Sequence, residues 1–221
     1  MTTDQVAEPF SRGLRMAIED GHARAQGSVF VEALVEGRLN LAGYTALASQ
    51  HYFIYTALEA AGEAMAEHPV AGRFVVDGLR RVPALADDLA ELIGPDWRDR
   101  VEQRPSTAAY VARLTEVAAV SPTAFVAHHY TRYLGDIAGG QVVRAQLRSQ
   151  HGFTDAGARF YDFSAIAPVP TFRKRYRELL DTAPWSAAER AEVIAEAGTA
   201  FDHNVAVLTD LAADLPTFRA A

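Results

Sequence analysis

Between Tyr130 and Gln141 the chain reads Tyr-Thr-Arg-Tyr-Leu-Gly-Asp-Ile-Ala-Gly-Gly-Gln. The residues around it predict one long helix, opened by Ser121 and Pro122 and ended by Gly152 after about Gln150. Each glycine in a helix centre costs roughly 1 kcal/mol relative to alanine. A helix that keeps three of them usually needs a bend or the close approach of another group. Gly135 and Gly139 are four apart, as are Asp136 and Gly140, so all four share one broad face carrying a single carboxylate. Two arrangements fit. One is a close helix–helix crossing with Asp136 paired to Arg132 one turn earlier. The other is a flat ligand lying on bare backbone, with Asp136 reaching past its edge.

Of seven histidines, His22 lies near the end of the first predicted helix, within Asp20-Gly21-His22-Ala23-Arg24-Ala25-Gln26, and is a candidate metal ligand if a flat ligand carrying a metal lies on that face. A lone helical histidine is more often a surface or satisfied core residue. The cluster Phe172-Arg173-Lys174-Arg175-Tyr176-Arg177 places Arg173 and Arg177 on one helix face, in a chain whose net charge is −7. Taken alone it reads as a solvated face. Arg15 lies seven residues, two turns, before His22. A di-iron carboxylate site would use two Glu-x-x-His pairs, and only Glu19-x-x-His22 has that spacing.

Cysteine is absent, which excludes disulfides, zinc–thiolate sites, iron–sulfur clusters and a cysteine nucleophile. The acidic balance argues against a nucleic-acid surface. No apolar run approaches bilayer length, so no membrane span is expected. Met1 to Gln5 has neither a basic segment nor an apolar stretch, predicting no secretory signal and a cytoplasmic protein.

Helical periodicity dominates. A first helix is predicted from about Pro9 into the Gly27 region, and a long one capped by Asn40 through Tyr44, His51 and Leu58. Pro69 is expected to start a shorter helix, and Leu85 to Leu92 form another stopped by Gly94-Pro95. Ser106 or Thr107 should cap a helix through Leu114 and Ala118. A loop follows around Phe160 to Pro170, then a short helix from about Thr171. Ser186-Ala187-Ala188-Glu189 is a capping box for the last long helix, ending before Pro216. With 221 residues, 49% of them hydrophobic, one domain spanning 1–221 is expected, with an ordered core over about 10–215.

The Tyr130–Gln141 string closely resembles the distal-helix motif of haem oxygenases, and Ser49 to Glu59 resembles that family's second long helix. The resemblance spans roughly residues 10 to 215. It implies an all-α, single-domain multi-helix bundle with haem b, substrate and cofactor at once, between a proximal helix and a glycine-kinked distal helix. His22 is then the iron ligand, and Gly135, Gly139 and Gly140 leave room for haem and oxygen. Asp136 holds an ordered water, with Tyr55, Arg132 and Asn204 in the distal hydrogen-bond network and Phe201 in the pocket wall. Tyr130, Arg173 and Arg177 match positions that hold the propionates, and Arg15 matches a lysine used similarly. Gln26 replaces the family's glutamate, which implies a neutral, less electron-rich proximal histidine.

The implied reaction turns haem and O2 into biliverdin, carbon monoxide and iron. No flavin or nicotinamide motif is present, so electrons come from an external reductase or ferredoxin. A non-catalytic haem carrier or sensor on the same fold is the alternative; Asp136 favours the enzyme. A thiaminase-like helical enzyme would want a cysteine. His51, His128 and His129 match no family role and are read as structural.

Overall fold

The computed structural model describes residues 8–154, 156–166 and 168–219; Met1 to Gln5 lie outside them, as does the side chain of Ala118. The helices are α1 (Phe10–Ala17), α2 (Glu19–Gln26), α3 (Val29–Val35), α4 (Leu41–Met65), α5 (Val82–Ile93) and α6 (Pro105–Val120). They continue with α7 (Pro122–His129), a π-helical turn at Tyr130–Leu134, and α8 (Gly135–His151). The last three are α9 (Val169–Thr182), α10 (Ala187–Ala212) and α11 (Leu215–Phe218). Among the described residues the only strand-like pairing is an isolated bridge, Leu39 with Arg219. No described helix is long and apolar enough to cross a membrane.

Local chemistry sets most of the boundaries. The Asn40 side chain accepts from Gly43 N, and Ser121 accepts from Ala124 N with Pro122 at the first helical position. Ser186 and Glu189 form a reciprocal capping box. Gly94 and Gly152 end α5 and α8 at φ 94° and 69°, a region open to glycine.

Four expectations are corrected. The first helix is two, because the backbone breaks at Ile18 (φ −99°, ψ 4°), whose buried side chain joins the core. Pro69 opens no α-helix: His68 Nδ1 accepts from Val70 N and Ala71 N, and two 3-10 turns follow at Ala71–Phe74 and Asp77–Leu79. Neither Ser106 nor Thr107 caps α6, which starts at Pro105; the Ser106 hydroxyl instead donates to Asp210 at 2.6 Å. The segment after Ser121 is interrupted by the π turn, while the glycines behind it lie in regular α-helix.

One hydrophobic core joins these elements, centred on α4, α6, α7 and α10 through residues such as Ile54, Leu58, Leu114, Phe125 and Ala197. A buried Arg81 braces the loop after α8 by donating to the carbonyls of Leu79, Phe160, Asp162 and Gly78. Asp88 accepts from the backbone N–H groups of Arg159 and Phe160. These contacts fix Tyr161, which matters for one of the glycines below.

Candidate active site

Two adjoining cavities, about 490 and 370 Å³, share His22, Thr131, Gly135, Ala138 and Phe201 as walls. Together they form one cleft between α2, the π turn, α8 and α10.

On the α8 side, an added Cβ at Gly135 or Gly139 would meet nothing within 4 Å. Their missing side chains are therefore open space in the cleft, which a helix crossing would have filled. Gly140 differs: a Cβ there would stand 2.7 Å from Cδ1 of the buried Tyr161 ring. Its backbone borders the cavity, and its missing side chain makes room for Tyr161. Gly139→Ala should therefore stabilise the ligand-free protein by about 0.5–1 kcal/mol through helix propensity. Gly140→Ala should destabilise it by about 1–3 kcal/mol through overpacking. Thermal melts compare them, and shifts of the same sign would contradict the assignment.

Asp136 sits between those glycines, its side chain 17% exposed. It accepts a short hydrogen bond from the Tyr55 hydroxyl and faces Arg132 Nη2 at 3.5 Å. Arg132 Nη1 donates to Asn204 Oδ1 at 2.7 Å, and its guanidinium lies 5.1 Å from the Tyr55 ring centre. Burial raises the Asp136 pKa, against the lowering pull of Arg132 and Tyr55. Burial raises Tyr55 as well, helped by the Asp136 charge. The four predicted network residues are thus joined. Among the described residues Arg132 Nε and Nη2 nevertheless have no hydrogen-bond partner, Nη2 reaching Asp136 only at ion-pair distance, leaving donors for a guest at the cavity wall.

On the α2 side, His22 is exposed to the cleft, and neither ring nitrogen has a hydrogen bond to protein among the described residues. Its ring meets Phe201 edge-on, with centroids 6.1 Å apart. The neighbouring Gly21 lets α2 approach α10: a Cβ there would stand 2.9 Å from Phe201 Cβ. An ion pair, Arg24 to Asp202 at 2.7 Å, ties the same two helices. Gln26 lines the cavity one turn after His22.

At the mouth, Arg15, Tyr130 and Arg173 line the smaller cavity. Arg177 is not in that lining, but its charge acts with those of Arg15 and Arg173 on Tyr130, opposing the rise in pKa that burial imposes. Glu19 also lines the mouth, an acid among the cations that the sequence reading used only for its metal-ligand spacing. His51, read as structural, lines the larger cavity. Its spacing four before Tyr55 was the available signal.

A larger cleft, about 660 Å³, lies away from these residues, between Thr45, Ile93 and Arg104. Its buried Gln50 is already bonded to Glu102 O and Arg104 N. Arg104 is paired with Asp210 and Asp214. Among the described residues no buried group there lacks a partner.

The family model described as heme oxygenase matches residues 8–210. "Heme oxygenase 1" of Nostoc is 31% identical over 203 residues, covering 91% of this chain and 85% of the relative. "Heme oxygenase 1" of Rattus norvegicus is 34% identical over 213 residues, covering 95% and 74%. Among solved structures, heme oxygenase-1 from Synechocystis in complex with heme superposes with a TM-score of 0.90 at 30% identity, covering 95% of both chains. A TenA homologue from P. horikoshii has a TM-score of 0.69 at 16% identity, which is a likeness of fold alone.

Proposed function

This chain belongs to the haem oxygenase family, and we propose that its cleft takes haem b as substrate and cofactor and opens the ring to biliverdin, carbon monoxide and iron. The observation that carries the reading is the pair of empty positions at Gly135 and Gly139, beside Asp136, in the cavity that also receives His22. When bound, haem supplies the redox-active iron and the ring carbon that is oxidised.

The residues present fit that group. His22 is an exposed imidazole with no hydrogen bond to protein among the described residues, and a neutral imidazole is a common iron ligand. Gln26 offers the ring's other N–H a neutral amide acceptor one turn away, less able than a carboxylate to enrich the imidazole. Arg15, Arg173 and Arg177 gather positive charge at the mouth, where two propionate carboxylates would be held, with Tyr130 between them.

Asp136 acts on the reacting face. Its carboxylate is held by Tyr55 and Arg132, and Arg132 is held in turn by Asn204. The free Arg132 donors and the Asp136 oxygens together suit an ordered water, through which a proton can be delivered into the cleft. Gly135 and Gly139 admit that water and the oxygen substrate by leaving the wall bare. Electrons come from an external reductase or ferredoxin, in the cytoplasm, and the released iron fits a role in iron acquisition.

Haemin and a reducing system test the reading. The Soret band should give way to a bile-pigment spectrum, with the isomer identified by chromatography. A persisting Soret band would leave a carrier or sensor instead. His22→Ala should abolish turnover and weaken haem binding, and added imidazole should restore the ferric spectrum. An unaltered spectrum in that variant would remove His22 as the ligand.

A further inference from the structure

His51 projects from α4 one turn before Tyr55, and it is 8% exposed. Its ring lies 5.0 Å from the Phe160 ring and 6.4 Å from the Tyr55 ring, centroid to centroid. It lines the same cavity as Asp136 and Arg132. Neither ring nitrogen has a hydrogen bond to protein among the described residues. The walls beside it, Leu47, Ile54 and Val207, are apolar and offer no partner. Neither nitrogen is sealed from solvent, so both are open to water from the cavity side. Burial, and then the charge of Arg132, push its pKa well below the ordinary histidine value. The ring is therefore neutral, with one donor and one acceptor. Arg132, whose Nε and Nη2 are buried without a hydrogen-bond partner among the described residues, lines the same cavity.

We propose that His51 is a positioning residue of this cavity: it holds an internal water whose hydrogen bonds continue, directly or through a second water, to the free donors of Arg132. Polar atoms lacking partners on two walls of a cavity of this size are the circumstance in which buried water is retained. The water extends the Tyr55–Asp136–Arg132–Asn204 network towards the α4 side of the cavity, where Leu47 and Ile54 are apolar. Small hydrogen-bonding molecules entering the cleft then meet a second polar anchor besides Asp136. This consequence rests on the haem-oxygenase reading; the water itself does not.

High-resolution crystal structures of the haem-free protein test the water. The wild type should show one within about 2.7–3.2 Å of a His51 ring nitrogen. It should be absent in His51→Leu and present in His51→Gln, which keeps a donor and an acceptor. No water on His51 in the wild type, or the same water in His51→Leu, overturns the proposal. Azide titration of the ferric haem complex tests the anchor. His51→Leu should weaken azide about tenfold, the worth of one hydrogen bond, and His51→Gln should restore it. Equal azide affinity in all three overturns the anchoring role. Failure of the wild type to bind haem would instead sink the proposed function and leave the crystallographic result standing.

Discussion

Asp136→Ala should keep haem binding within a few-fold and lose ring opening by at least about a hundredfold, the usual worth of a positioned proton-delivery group. The single substitution removes two things. Tyr55 loses its acceptor, and Arg132 loses the carboxylate that faces it, keeping only Asn204. Because Arg132 is almost wholly buried, losing that countercharge should also cost about 3 kcal/mol of stability. Asp136→Asn separates the effects, since the amide keeps the shape and an oxygen for Tyr55 but carries no charge. Stopped-flow monitoring of the Soret band, with chromatography of the product, gives the rates. With peroxide as oxidant, the alanine variant should oxidise small phenols faster than the wild type. Undiminished biliverdin yield in Asp136→Ala would remove the assigned role.

The second large effect lies outside the cleft. Glu196 on α10 accepts from His128 Nε2 at 2.7 Å and from Arg113 Nε at 2.8 Å and Nη2 at 2.5 Å. His128 is fully buried and also meets the Tyr110 hydroxyl at 3.3 Å. Glu196→Ala leaves that buried imidazole with only the Tyr110 hydroxyl, and Arg113 with only Glu116, and should destabilise the fold by about 3 kcal/mol. The pH dependence has a definite sign. Burial pushes the Glu196 pKa up, but the bonds from His128 and Arg113 prevail and hold it at about 2. A folded pKa below the unfolded value of about 4.3 stabilises fully above that unfolded value and is lost as the pH falls towards 2. The contribution is on the order of 3 kcal/mol. Urea melts at pH 7 and pH 3 should show a steep loss in the wild type and a shallower one in Glu196→Gln. Matching pH profiles would show that the cluster does not govern acid stability.

Much of this was legible in the sequence wherever the determinant was local. Asn40, Ser121-Pro122 and the Ser186–Glu189 box mark helix starts because a capping side chain bonds backbone two or three residues on. The spacing of Gly135, Gly139 and Asp136 put them on one face and fitted a helix crossing as well as a ligand; the resemblance of the whole Tyr130–Gln141 string marked the site. What escaped depended on distant partners. Ser106 looked like a cap, yet Asp210, on α10, claims its hydroxyl. Gly139 and Gly140 read as equivalent, and only Tyr161, from the loop braced by Arg81 and Asp88, distinguishes them. His51 looked structural because which face of α4 borders the cleft is settled by the packing of α8 and α10. The break at Ile18 had no proline or glycine to announce it.

The π turn at Tyr130–Leu134 has a consequence for how this helix tolerates change in length. Such a turn accommodates about one more residue than α-geometry would over the same path. With 3.6 residues per α-turn, one residue more or less rotates everything after it by about 100°. Deleting a single residue within Tyr130–Leu134 would let the helix run straight with Asp136 still turned to Tyr55. Forcing the turn into α-geometry at its present length would instead swing Asp136 away from Tyr55 and the bare glycine surface out of the cleft. The irregular turn is thus a phase-setting insertion: it lets α7 keep Phe125 and His128 in the core while α8 presents a different face to the ligand.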